Sequence, residues 1–96
     1  MDRRVVISGM GTVNPVGNSV DETWAALCAG KSGIGPITKF DAVRHTTKIA
    51  GELKNFNPLA YVDKKELRRL DAFIVYALAC ADMAMTDSGL AIDEGN

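Results

Sequence analysis

The 96 residues allow one small domain or a part of a larger one. Hydrophobic residues make up 47% and charged residues 24%, which is too apolar for a disordered chain. Lys and Arg number 11 against 12 Asp and Glu, so the net charge is −1; this excludes a globally basic nucleic-acid binder but leaves room for a local basic patch.

Residues 4–8 read as the first strand. Val5, Val6 and Ile7 are consecutive and β-branched, as in a strand of a parallel sheet buried on both faces. Gly9 and Gly11 end it, and a loop follows through Pro15, Gly17 and Asn18. Ser19-x-x-Glu22 is a capping box that opens a helix over about 20–29, with Glu22 reaching back and Gly30 as its stop. Val20, Trp24, Leu27 and Cys28 form its apolar stripe. A strand followed by a helix indicates an α/β protein.

The stretch 31–36 reads as a turn-rich loop, 46–53 as a weak strand, and 55–61 as irregular chain around Pro58. Asp63-x-x-Glu66 is a second capping box. It predicts a helix from 63 to 86, with a break near Leu70–Asp71 where the character changes. Lys64, Lys65, Arg68 and Arg69 make its start basic, whereas 72–85 is apolar apart from Asp82. Such a helix belongs inside a large core, and one strand and one amphipathic helix cannot enclose it. More chain or another subunit is therefore expected to cover it.

Most short motifs fail on inspection. Gly9-x-Gly11 lacks the third glycine of a dinucleotide fingerprint, because Asn14 stands there. Gly30-Lys31-Ser32 follows a helix rather than a strand, unlike a phosphate-binding loop. Cys28 and Cys80 lie among apolar residues and read as reduced, buried structural thiols. A single histidine, His45, and the lack of a CxxC pair argue against a zinc site. Arg3-Arg4 is followed by too short an apolar run for a secretory signal. Residues 72–81 fall short of the ~20 needed to span a membrane. The chain reads as soluble and cytoplasmic.

The basic start of the last helix is the exception. Lys65, Arg68 and Arg69 stand at i, i+3 and i+4, so a continuous helix gathers three cations on one face. Like charges repel there, and a helix N-terminus disfavours cations. Two local penalties in one place suggest an anionic partner that offsets them. The plain alternative is a solvated face with Asp63, Glu66 and Asp71 as counter-ions.

Several pieces in one order carry a family resemblance: RRVVISGMG at 3–11, NPVGNS at 14–19, the Trp24 helix, GKSGI at 30–34, Phe40-Asp41, and IAGE at 49–52. Lys-Lys-Glu-x-Arg-Arg-x-Asp-x-Phe at 64–73 and Asp87-Ser88-Gly89-Leu90 complete the series. Together they resemble the amino-terminal part of the β-ketoacyl-[acyl-carrier-protein] synthases. IAGE and Phe40-Asp41 favour the synthase II type.

The resemblance implies the amino-terminal portion of a thiolase-like, layered α/β/α/β/α fold formed by a dimer, with residues 1–96 an incomplete part of the synthase domain. It implies acyl-chain elongation in fatty-acid synthesis by decarboxylative Claisen condensation. The family's cysteine nucleophile and two histidines are expected beyond residue 96, so no catalytic residue carries over and the chain alone is expected to be inactive. Neither metal nor cofactor is implied, because the substrates ride on the phosphopantetheine arm of acyl carrier protein. Positions matching Lys65, Arg68 and Arg69 contact the acidic helix of that carrier; the third is lysine in some relatives. Two alternatives stay open: a complete, non-catalytic module for acidic partners, and a chain-length-factor subunit of a polyketide synthase.

Overall fold

A computed structural model describes residues 2–95. The elements in order are α1 (Val20–Cys28), β1 (Ile34–Pro36), β2 (Ile49–Gly51), a 3₁₀ turn (Pro58–Ala60), α2 (Lys64–Leu67) and α3 (Ala72–Ser88). They fall into two compact units. One is Val13–Phe56; the other joins the described residues up to Thr12 with those from Asn57 on.

The Val13–Phe56 unit is a helix followed by a hairpin. Ser19 caps α1 by accepting from the Glu22 amide at 3.1 Å. The return arm of the capping box is displaced by one residue, since Glu22 Oε1 accepts from the Asn18 amide. Gly30, at φ 71°, ends the helix. The Lys31 amide reaches back to the Ala26 carbonyl, which satisfies a late helical acceptor. The Gly30-Lys31-Ser32 stretch is thus a helix stop. β1 and β2 pair antiparallel with Gly35 opposite Ala50. β1 falls inside the stretch read as a loop, and the expected strand over 46–53 shrinks to Ile49–Gly51. Glu52 closes the hairpin: it accepts from the Thr38 hydroxyl at 2.8 Å and from the Thr38 and Lys39 amides at 3.2 Å.

The expected apolar stripe of α1 does not face inward. Trp24 is 68% exposed, Leu27 and Cys28 are also exposed, and Ala26 is the buried position. The inward side is the narrow one. Gly17 lies so close to Thr23 that a Cβ there would sit 2.6 Å from the Thr23 amide nitrogen. A large side chain would not fit on that side.

In the other unit, residues 4–8 form no strand among the described residues. Val5 is 92% exposed and Ile7 82% exposed. β-branched residues favour extended backbone, but a strand exists only through pairing, and no described segment pairs with this one. Gly9 and Gly11 do more than stop a strand. They lay the backbone directly on α3. A Cβ on Gly11 would collide with the Cys80 carbonyl and sit 2.6 Å from Met83 Cβ; one on Gly9 would collide with the Ala84 carbonyl and sit 2.8 Å from Ser88 Cβ. The Met10 amide between them donates to Asp87 Oδ2 at 3.0 Å.

The long helix expected over 63–86 is broken where its character changes. Asp71, in extended conformation, starts α3, and left-handed Gly89 ends it. Ser88 locks that end by donating to the Met85 carbonyl and accepting from the Leu90 amide. α3 buries Val75 and Ala79, one turn apart, while Phe73 stays 68% exposed and Leu78 and Met85 are also exposed. Cys80 is half-buried. Among the described residues the buried apolar set is Ala26, Ala42, Val75 and Ala79, with no large side chain fully enclosed.

Candidate partner-docking surface

Between the Pro58–Ala60 turn and α3 lies one short helical turn. Asp63 begins it, accepting from the Glu66 amide at 2.7 Å, and the Asp63 carbonyl accepts from the Leu67 amide at 2.9 Å. Leu67 and Leu70 turn inward and are half-buried, whereas Lys64, Lys65, Glu66, Arg68 and Arg69 are all exposed. Two leucines thus anchor the segment and leave its charged residues in solvent.

The three candidate cations come together on this turn but not on one continuous helix. Lys65 lies in α2, Arg68 is its C-cap at φ −68°, ψ −19°, and Arg69 follows it. The Arg69 amide bonds the Glu66 carbonyl at 2.9 Å, an i→i−3 bond that tightens the chain and ends the α pattern. Asp71 then takes extended backbone, which forces the break. Lys65 and Arg68 keep their helical i, i+3 spacing; Arg69 does not. The expected conflict with a helix macrodipole also weakens, because four residues generate little dipole.

The charges of this face are solvated rather than closely paired. Asp63 commits its carboxylate to the cap. Among the described residues no ion pair holds Lys64, Lys65, Arg68 or Arg69. The surface is a solvated cluster of four cations in which Asp63 holds the cap while Glu66 and Asp71 stay exposed beside them. Such a surface attracts an anionic macromolecule at long range, and salt weakens the attraction.

Elsewhere, His45 is exposed and meets Phe40 edge-on at 5.3 Å between ring centroids. Cys28 and Cys80 are free thiols, and Cys28 is exposed rather than in the core, because α1 turns its narrow side inward. Among the described residues no group of three His, Cys, Asp or Glu side chains is placed to hold a metal, and no helix is long and apolar enough to cross a membrane.

Residues 2–96 match the family model described as the β-ketoacyl synthase N-terminal domain. The chain belongs to that family. It is 50% identical over 94 residues to a 3-oxoacyl-[acyl-carrier-protein] synthase 2 of Coxiella burnetii, covering 98% of this chain and 23% of the relative. The protein of the same name from Vibrio harveyi is 48% identical with the same coverage. The solved structure of the ishigamide ketosynthase/chain length factor superposes with a TM-score of 0.84 at 37% identity, over 95% of this chain and 23% of that one. The chain therefore spans 23% of the length of these relatives, and its mixed helix and strand is the α/β pattern of the ketosynthase amino-terminal region.

Family membership gives the quoted motifs physical meaning. Gly9 and Gly11 permit backbone contact with α3, Asp87-Ser88-Gly89 closes that helix onto Met10, and the glutamate of IAGE clamps the hairpin. Sequence reasoning missed Lys54, whose ammonium bonds three backbone carbonyls. A lone lysine in a polar stretch carries no signal of that role.

Proposed function

We propose that this chain carries part of the acyl-carrier-protein docking surface of a 3-oxoacyl-[acyl-carrier-protein] synthase II, with Lys65, Arg68 and Arg69 meeting acidic residues of the carrier. The observation that carries the reading is the exposed, unpaired cation cluster on a capped turn, in a chain that belongs to the family. The whole protein would be a cytoplasmic homodimer of the layered thiolase-like fold. It would elongate acyl chains: a cysteine thioester is attacked by the enolate that malonyl carrier protein yields on losing CO₂. No residue among 1–96 is assigned a step in that condensation, so the chain alone is inactive in this reading. No resident cofactor is needed, since phosphopantetheine arrives on the carrier.

The docking role is electrostatic. Exposed charges of this kind chiefly set encounter rate and orientation. The triple variant Lys65→Glu, Arg68→Glu, Arg69→Glu in the intact protein should weaken carrier binding at low salt by about tenfold or more, or ~1.4 kcal/mol. It should also flatten the salt dependence. Unchanged affinity at low salt removes these residues from the interface.

The likeness to the ishigamide ketosynthase/chain length factor keeps a second reading in view: a subunit that docks carrier or paired synthase without performing condensation. The curated relatives at 48–50% identity favour the synthase. Acylation of the intact protein by acyl carrier protein separates the two, because only the synthase forms a thioester.

A further inference from the structure

Lys54 lies in the hairpin unit and spends its whole hydrogen-bonding capacity on backbone. Its Nζ donates to the carbonyls of Gly33 at 2.9 Å, Glu52 at 3.0 Å and Pro15 at 3.1 Å. An ammonium has three donors and no acceptor, so the set is complete. The acceptors come from three separate segments: the loop before α1, the residue before β1, and the residue after β2. Lys54 itself is exposed, but the backbone segments it bridges pack closely on one another. A Cβ on Gly33 would sit 2.5 Å from Pro15 Cβ, and one on Gly51 would sit 2.9 Å from Pro15 Cγ. The Lys54 carbonyl in turn accepts from Asn18 Nδ2 at 2.7 Å, tying the same loop from its other end.

Three carbonyls aimed at one point bring their negative ends together. They repel unless a donor lies between them, and a charged donor makes the stronger bonds. We propose that the carbonyls of Pro15, Gly33 and Glu52 form a cation site selective for a primary ammonium, filled by the chain's own Lys54, which locks residues 13–56 into one conformation. The selectivity follows from the count: a primary ammonium offers three N–H groups for three acceptors. Removing it takes away the side-chain link from the 13–18 loop to both strands of the hairpin at once, leaving only the Asn18 bond to the Lys54 backbone and the packing of Pro15.

Amide hydrogen exchange on the intact protein tests this. In Lys54→Met, which keeps the stem but loses charge and donors, the amides of Asn14, Gly17 and Ile37 should exchange at least about tenfold faster, while the α3 amides stay as they were. In Lys54→Ala, methylammonium chloride at about 0.1 M should restore protection at those amides, whereas tetramethylammonium chloride at equal strength, with no N–H, should not. Unchanged exchange in Lys54→Met overturns the proposal. So does equal rescue by the two salts, or an alanine variant that methylammonium leaves unprotected.

Discussion

Protonating Glu52 removes the acceptor that holds Thr38 and Lys39 at the head of the hairpin. The Thr38 hydroxyl bond is the main cause that holds this carboxyl below its ordinary 4.5; the Thr38 and Lys39 amides and the Lys39 charge add to it, against a desolvation that opposes them. A folded value below the unfolded one means the unfolded chain binds more protons in that window. The contribution is therefore present above the ordinary value and lost as pH falls through the folded one. Carboxyl NMR titration should show Thr38→Val moving the Glu52 midpoint upward; an unmoved midpoint would mean the hydroxyl bond is not its cause. Gly11 offers a second single-residue test. Gly11→Ala drives a methyl into the Cys80 carbonyl and should cost about 1–3 kcal/mol in denaturant unfolding of the intact protein. An unshifted midpoint would deny that the backbone rests on α3. The glycines are plain in the sequence, but this contact is not, because the partner residues lie some 70 positions away.

At the scale of elements, the local signals read well and the tertiary ones poorly. Both cap residues, Ser19 and Asp63, hold their amides, Gly30 and Gly89 sit at helix ends, and the break before Ala72 falls where hydropathy changes. Caps and stops depend on a few neighbouring residues, so the sequence contains their cause. The orientation of α1 depends on what packs against it, and the strand expected at 4–8 needs a partner strand; neither cause lies in the local pattern. Of the candidate site, the gathering of three cations on one short segment was legible. Their separation by a tightened turn was not, because it follows from Asp71 starting a new helix. The turn itself can be tested. Asp63→Asn and Asp63→Ala remove the same charge, but asparagine keeps a capping oxygen, and losing a cap costs about 0.5–2 kcal/mol. The asparagine variant should bind carrier protein more tightly than the alanine variant by isothermal titration. Equal affinities would mean that charge alone, not the capped geometry, governs docking.

Across the whole molecule the unusual feature is how little apolar surface is enclosed. Val5, Ile7, Trp24, Phe73 and Ile92 all stay exposed, and among the described residues the buried set consists of alanines and one valine. A 96-residue protein with such a surface should bind apolar dyes, self-associate and show weak near-UV circular dichroism. A monodisperse species with sharp cooperative unfolding would favour a self-contained binding module instead. The central claim concerns the cation cluster, and a charge-swap cycle tests it most directly. Arg68→Glu in the intact protein is paired with reversal of a single acidic residue on the carrier's recognition helix to lysine, and all four affinities are measured at low salt. Docking through this turn requires that each single reversal weaken binding and that the double reversal recover at least about half of the loss. Strictly additive losses for every carrier acid tried would contradict it.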